Sequence, residues 1–459
     1  MVGSAPVTVI GGGMAGVEAA RALSARGVAV RLHEMRPVKP TAAHKTSDLA
    51  EIVCSNSLGS LEIAAGSGLL LAEMERLGSV VVKAAKANRV PAGGSLAVER
   101  AGFGRDVTAA IAALPGVELV REEVRALPAT GPVIVATGPL TSEELHASIR
   151  ALTGDDGLYF YDAIAPIVSA DSIDMEKVYA KSRYDKGTPD FLNCPMNRDE
   201  YHAFVEALLA GEKVQPKDFE KEVFFEGCMP VEEMARRGKE TLAFGPMRPV
   251  GLEDPRTGRR PYAVVQLRRE DRDGQLYNLV GFQTKLRYPE QKRVFAMIPG
   301  LERAEFVRLG SMHRNTFLNA PRLLAPDLSL RARPDLFFAG QMIGVEGYAE
   351  SAALGMMAGL SLADRLQGRT FEPPPRTTAI GGLMAYLREA DPKHFQPMNV
   401  NAGLLPPLPK PPRDKREKKR QLAIRALEDL EGWIAARGLG AVATGARAEA
   451  APPEAAVAR

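Results

Sequence analysis

The sequence predicts an α/β fold, in which a Rossmann-type dinucleotide-binding domain is interrupted by an inserted α+β domain. Three observations predict it. Gly11, Gly13 and Gly16 form a GxGxxG run between an apolar strand and a helical pattern. Glu34 closes the next strand, eighteen residues after Gly16. A charged and aromatic stretch without a nucleotide motif then separates these elements from a second strand and glycine turn near Asp335.

The elements follow in order. Val7 to Ile10 reads as a buried strand, Val17 to Ala25 as a helix, and Val28 to His33 as a second strand. Gly66 to Ala87 has an amphipathic helical pattern. Phe103 to Ala113 reads as a helix, Val117 to Val120 as a strand, and Val133 to Gly138 as a strand entering a tight turn. The inserted segment carries strand-like runs at Tyr262 to Leu267 and Tyr277 to Phe282. Leu336 to Gly340 is a strand, Gln341 to Tyr348 a loop, and Ala349 to Leu366 a helix rich in small residues. Phe371 to Pro375 is a proline-rich connector, and a helix is expected from Arg413 to Arg437. The expected division is 1–193 and 321–437 for the nucleotide-binding domain, 194–320 for the insertion, and 438–459 for a disordered Ala-, Gly- and Pro-rich tail.

Bulk properties narrow the function classes. At 459 residues the chain exceeds one ordinary core. The net charge of +3 gives no whole-protein argument for nucleic acid. Three cysteines, Cys54, Cys194 and Cys228, are too widely spaced for a CxxC pair or a zinc site and do not suggest a disulfide framework. A strand beginning at Val7 leaves no room for a leader peptide, and no apolar run is long enough to span a bilayer. The expected location is the cytoplasm, without a membrane; no protein partner is evident.

The glycine loop has a defined physical task. Gly11 permits a tight turn, Gly13 lets backbone approach a pyrophosphate, and Gly16 lets the helix close on the strand. Gly12, Met14 and Ala15 complete the loop and first helical turn, whose free N–H groups favour phosphate. Glu34 suits a ribose hydroxyl, with Met35 beside it. Two further segments point to FAD by resemblance. Val133 to Gly138 resembles the second signature of glutathione-reductase-type flavoproteins. Leu336 to Gly347, with Gly340, Gln341 and Gly344, resembles their C-terminal FAD signature. There is no second GxGxxG, so a nicotinamide must bind transiently or in another way.

Cys228 precedes Pro230, Glu232 and Glu233, which suit the start of a helix. A thiol just outside a helix N-terminus is readily ionised, although the two glutamates oppose the effect. A buried structural cysteine is the equal alternative. Chain order places Cys54 near the expected cofactor, with a small core residue as its alternative. Cys194 reads as structural. His33 and His44 fit surface or hydrogen-bonded roles. Lys410 to Arg420 is strongly basic, suiting phosphate or a solvated helix face. A second basic series, Arg256 to Arg293, interleaves Tyr262, Tyr277, Phe282 and Tyr288, suiting base stacking or an ordinary sheet.

Several motifs together resemble the folate- and FAD-dependent tRNA (uracil-5-)-methyltransferases of the TrmFO type. They are Glu34-Met35-Arg36-Pro37, Ala50 to Ser57, Arg89 to Gly94, Leu192 to Pro195, Phe225 to Pro230 and Gly340 to Tyr348, within a resemblance covering roughly residues 7 to 400. The resemblance implies 5-methyluridine formation at position 54 of the tRNA T-loop. It implies methylenetetrahydrofolate as one-carbon donor, FAD as reductant, and NADPH or NADH to reduce the flavin. Cys228 matches the family's nucleophile, a thiolate that adds at uracil C6 and makes C5 nucleophilic. Cys54 matches a second cysteine, as base for the C5 proton or as a second nucleophile. Three other readings stand beside this one. They are the related wobble-uridine carboxymethylaminomethyl-modifying flavoprotein, a small-molecule NAD(P)H:flavin oxidoreductase, and an RNA-binding protein that holds FAD without catalysis.

Overall fold

A computed structural model describes residues 5–41, 43–154, 158–185, 188–214, 224 and 229–439. Its first layer is a six-stranded sheet in the order Ser329–Leu330, Arg333–Phe338, Val133–Val135, Val7–Ile10, Val30–His33, Val117–Val120. All neighbours in it are parallel except the first pair. Val7, Val9 and Val133 to Val135 are buried, as parallel strands covered on both faces require. From Val7–Ile10 the chain steps to one side for Val30–His33 and later returns to the other side for Val133–Val135. The crevice beyond Ile10 is therefore the point where strand order reverses, which is where ligands bind in such sheets.

Two helices cover this sheet as a tight pair. The Met14–Ser24 helix follows the first strand, and the Tyr348–Leu366 helix follows the last. A Cβ on Gly355 would stand 2.1 Å from the Ala15 carbonyl oxygen, and one on Gly359 would stand 2.6 Å from that of Ala19. The small residues of the second helix thus serve helix contact as directly as they serve any ligand.

The second layer is antiparallel, in the order Tyr179–Ala180, Phe191–Met196, Ala263–Arg269, Leu276–Leu279, Ile167–Ser169, Phe306–Arg308. It has its own core, including Tyr201, Phe204, Phe282 and Phe295. This sheet uses strands from Ile167 onward, upstream of the residue 194 at which the sequence suggests that the insertion begins. A two-stranded ribbon pairs Leu158–Ala163 with Met312–Phe317. A small three-stranded sheet of Ser57–Ser60, Ser95–Val98 and Arg89–Val90 carries the Cys54 loop.

Several expectations shift. The helical pattern from Gly66 to Ala87 is two helices, Gly66–Arg76 and Val80–Ala87, broken where Gly78 takes φ +74°. The Ala379–Glu389 helix and the Glu143–Thr153 helix were not anticipated. The basic-aromatic series from Arg256 to Arg293 is not one continuous surface, because Arg268, Tyr277, Phe282 and Lys285 are buried. Residues 440–459, nearly all of the expected tail, lie outside the described residues. Among the described residues no helix is long and apolar enough to cross a membrane.

Glu73, on the Gly66–Arg76 helix, accepts the N–H groups of Ala379 and Ile380 at 2.7 and 2.9 Å. Burial pushes this carboxyl up to about 8, against the pull of those donors. The folded protein therefore holds the proton more tightly than the unfolded chain does. The Glu73 contribution is complete below the unfolded carboxylate value and is lost as pH rises through about 8. Urea midpoints from about pH 5 to about pH 9 should show wild type losing about 3–5 kcal/mol relative to Glu73→Gln.

Candidate functional site

The site begins at the glycine loop. Gly11 has φ +103°, and a Cβ there would stand 2.6 Å from the Ala136 carbonyl oxygen. A Cβ on Gly16 would fall 1.8 Å from the Gly11 carbonyl oxygen, so only glycine lets the helix rise this close to the strand. Gly13 differs from both. A Cβ there meets nothing within 4 Å, which leaves open space beside the helix N-terminus. Gly13 is the N-cap of the Met14–Ser24 helix and no side chain caps it. The early N–H groups thus remain available to an anion.

Glu34 is buried below this loop. Its Oε2 accepts the Gly12 N–H at 3.0 Å, and its Oε1 accepts the backbone N–H and Nε of Arg36 at 3.0 and 2.8 Å. Burial alone would raise its pKa, but Arg36 and these N–H donors outweigh burial and hold the carboxyl below its ordinary range. Three of its roughly four acceptor positions are used, leaving about one for a hydroxyl. Arg36 also binds Glu51 Oε2 at 2.9 Å, tying the loop ahead of Cys54 to the same carboxylate network.

Two cavities meet here. A narrow one of about 80 Å³ is lined by Gly11, Gly12, Gly13, Glu34, Met35 and Thr137, with His33 and His44 on its wall. A larger one of about 570 Å³ lies between the two sheets and is lined by Cys54, Arg268, Gly281, Gln341, Tyr348 and Glu350. Leu140 borders both. Glu34 and the open flank of Gly13 are residues that could hold the nucleoside end and phosphates of an elongated dinucleotide.

The remaining glycines have different tasks. Gly138 has φ +65° and an open flank. Gly340, at φ +76°, closes on Ala15, and Gly344, at φ +87°, closes on Phe395; neither lines the cavities. Gln341 does line the larger one and donates to Glu346 Oε2 at 2.6 Å. Met14 and Ala15 are buried in the first turn of their helix.

Cys54 sits in the larger cavity in a hydrogen-bonded setting that the sequence did not signal. The Tyr348 hydroxyl accepts the N–H groups of Val53 and Cys54 at 3.0 and 2.9 Å and lies 3.0 Å from Cys54 Sγ. With both lone pairs engaged, its hydrogen is left to donate to the sulfur. Burial, and then the nearby sulfur, hold the Tyr348 pKa well above its ordinary value, so the hydroxyl keeps that proton. Three arginines converge on the same loop. Arg100 donates to the carbonyls of Ile52 and Cys54, Arg268 to Ser55 Oγ at 2.8 Å, and Arg308 to the carbonyl of Val53. Glu270 pairs with Arg100 at 2.6 Å. Three guanidinium groups against one carboxylate make an electropositive setting, the kind in which a thiolate is favoured.

Cys228 lies outside the described residues. The description resumes at Met229, and the N–H of Val231 donates to the Gln283 carbonyl at 2.7 Å, on the cavity wall. The helix there, Val231–Arg236, has Glu232 and Glu233 in its first turn. Cys194 is fully buried in the second core, and burial pushes its thiol far up. Tyr348, Arg100, Arg268 and Arg308 were not singled out as site residues. Their only signal was the position of Tyr348 at the end of the last glycine motif.

A family model described as glucose inhibited division protein A matches residues 6–370. The methylenetetrahydrofolate--tRNA-(uracil-5-)-methyltransferase TrmFO of Heliobacterium modesticaldum is 58% identical over 429 residues, covering 94% of this chain and 98% of that protein. TrmFO of Geobacter sulfurreducens is 58% identical over 430 residues, covering 94% and 99%. The solved structure of Aquifex aeolicus GidA has a TM-score of 0.66 at 16% identity, covering 94% of this chain and 75% of that one, a likeness of fold alone.

Two predictions follow from the geometry. Gly13→Ala should keep the wild-type melting temperature but lose bound flavin, read as flavin absorbance per chain. Gly16→Ala should destabilise the fold itself by about 1–3 kcal/mol or more. Tyr348→Phe should slow alkylation of Cys54 at neutral pH severalfold, followed by mass spectrometry on the Cys54 peptide, because the sulfur loses its hydroxyl donor.

Proposed function

The chain belongs to the TrmFO-type family of folate- and FAD-dependent tRNA (uracil-5-)-methyltransferases, and from that premise we infer that it methylates C5 of a tRNA uridine. Methylenetetrahydrofolate is the one-carbon donor and FAD the redox cofactor. The finer reading is that the target is the T-loop uridine at tRNA position 54, that NADPH or NADH restores the reduced flavin, and that the enzyme works in the cytoplasm. The observation that carries the reading is the sulfur of Cys54 in a cavity that shares Leu140 as a wall residue with the glycine-loop groove.

FAD, once bound and reduced by NADPH or NADH, would supply the electron pair that takes the transferred carbon from the methylene to the methyl level. Gly11 to Gly16 and Glu34 are proposed to hold its pyrophosphate and ribose, with Met35, Gly138, Gly340, Gln341 and Gly344 shaping the rest of its site. Gly340 and Gly344 would act by letting the last turn close on Ala15 and Phe395.

Cys228 is proposed as the nucleophile. Its thiolate forms a bond to uracil C6, the C5–C6 π pair moves onto C5 and the C4 carbonyl, and C5 then bonds the methylene carbon as that carbon's bonds to the folate nitrogens break in turn. Tetrahydrofolate leaves with those electron pairs once the C5 proton is taken. Reduction of the methylene carbon then re-forms the C5–C6 double bond and expels the Cys228 thiolate from C6. Cys54 is proposed to take the C5 proton. Its support is the donor count at Tyr348 and the surrounding guanidinium groups, which together favour a sulfur that accepts. Lys410 to Arg420 is proposed as a phosphate contact. Its seven cations are exposed, and the run itself contains only Asp414 and Glu417 as acids. Arg416 reaches Glu62 at 3.3 Å, close to the Gly59–Ser67 wall of the cavity.

The test uses labelled methylenetetrahydrofolate and undermodified tRNA. Wild type should place label in 5-methyluridine of the T-loop, and Cys228→Ala and Cys54→Ala should each lose it. Label at a wobble uridine, or turnover independent of tRNA, would sink the reading. Replacing Lys415, Lys418 and Lys419 by Ala should weaken tRNA binding and reduce its logarithmic salt slope by about 2.

A further inference from the structure

The exposed aromatic Phe244 is not assigned any task by the reaction. It is 80% exposed, the most exposed large hydrophobic side chain among the described residues. Single exposed apolar residues are ordinary, so exposure alone decides nothing. Three further features of its surroundings do.

The first is rigidity. Phe244 ends the short Thr241–Phe244 helix, between Leu242 and Met247, both fully buried in the second core. The N–H of Met247 donates to the Leu242 carbonyl at 2.9 Å, and that of Gly245 to the same carbonyl at 3.1 Å. The Tyr201 hydroxyl donates to the Lys239 carbonyl at 2.8 Å and accepts the Ala243 N–H at 3.2 Å. The segment is clamped from both sides, and the ring is thrown outward from a fixed backbone.

The second is position. Gly281 lines the larger cavity, and a Cβ on it would stand 2.7 Å from Pro246 Cβ. The Phe244–Pro246 turn is therefore packed against the back of the Gly281 wall of the cavity.

The third is charge. Arg236, Arg237, Lys239 and Arg248, neighbours of Phe244 in the chain, are exposed, with Arg236 paired to Glu233 at 3.2 Å. The acid of the segment, Glu240, is turned toward Tyr262, whose hydroxyl donates to it at 2.6 Å, and toward His202 at 3.5 Å. A rigid exposed ring on a segment rich in exposed cations, packed behind a cavity wall, suits a nucleic acid, with base stacking on the ring and phosphates held by the cations.

We propose that Phe244 is a stacking platform for an unpaired base of the tRNA, docking the RNA on the insertion side of the cavity while the target uridine enters it. The proposal rests on the tRNA reading above and adds a specific contact to it. Stacking on a ring is nearly indifferent to ionic strength, so this contact differs in kind from the cationic face of Lys410 to Arg420.

The experiment measures equilibrium binding of undermodified tRNA by filter retention at several salt concentrations, with flavin content and melting temperature as folding controls. Phe244→Ala and Phe244→Leu should each raise Kd about tenfold with the salt slope unchanged, and Phe244→Trp should restore binding. Trp433 is the one tryptophan of the chain, so wild type serves as the fluorescence blank. Phe244→Trp should show emission quenching on adding tRNA that wild type lacks. Wild-type affinity in Phe244→Leu, or no added quenching at position 244, would overturn the proposal. If wild type methylates tRNA and Phe244→Ala binds it unchanged, this inference alone fails. If wild type neither binds nor methylates tRNA, the underlying reading fails first.

Discussion

The close approach of the Met14–Ser24 and Tyr348–Leu366 helices is the constraint on which the rest of this structure depends. Gly355 and Gly359 bring the second helix onto the Ala15 and Ala19 carbonyls, and Gly16 brings the first helix onto its own strand. Each of these contacts is shorter than any Cβ would permit. Their combined effect is to set the last glycine turn beside the first, although more than three hundred residues separate them. Met342 and Gln341 then face the same crevice edge as Thr137 and the glycine loop, with the Thr137 hydroxyl 3.0 Å from Met342 Sδ. That helix contact therefore sets the Glu34 cavity and the Tyr348 cavity on either side of a shared wall residue, Leu140.

The second consequence concerns Cys54. Its loop has little regular structure of its own and would be free to move if left to local interactions. It is held instead by groups from distant parts of the chain, with Tyr348 from the helix start, Arg100 from the first domain, and Arg268 and Arg308 from the antiparallel sheet. Asn56 joins the two sheets directly, donating to the Arg269 carbonyl at 3.1 Å and accepting from Arg268 Nε at 3.0 Å. Burying several guanidinium groups near one carboxylate is costly unless their donors are satisfied. Here backbone carbonyls, Glu270 and the side-chain oxygens of Ser55 and Asn56 accept from them. The same interactions that seat the insertion on the nucleotide-binding domain therefore tune the chemistry of the cavity between them.

Electrostatics divides this protein into buried and exposed uses of charge. Inside, Glu34, Glu73 and Glu270 are each matched to specific N–H or guanidinium donors, and their energies are set by desolvation as much as by partners. Outside, the cations of Lys410 to Arg420 and those near Phe244 in the chain are exposed to solvent, where charge acts over a longer range than any single partner. Arg268 and Lys285, read in sequence beside exposed aromatics, belong to the first kind, since both are buried.

The sequence by itself determined the parallel βαβ start, the glycine loop, the acid at Glu34, the late strand and its small-residue helix. These are local: strand and helix periodicity, turn-forming glycines and cap positions act over a few residues and are legible in order. It also carried the motifs by which the chain is assigned to its family. Only the tertiary structure decided which arginines surround Cys54, that the Tyr348 hydroxyl is left to donate to its sulfur, and that Phe244 rather than Tyr277 or Phe282 faces solvent. Those outcomes depend on which face of each element meets another sheet, and such contacts join residues hundreds of positions apart with no periodic trace in either segment. The strands upstream of residue 194 that complete the antiparallel sheet were hidden for the same reason, because a strand of two or three residues is defined by its partners more than by its own residues.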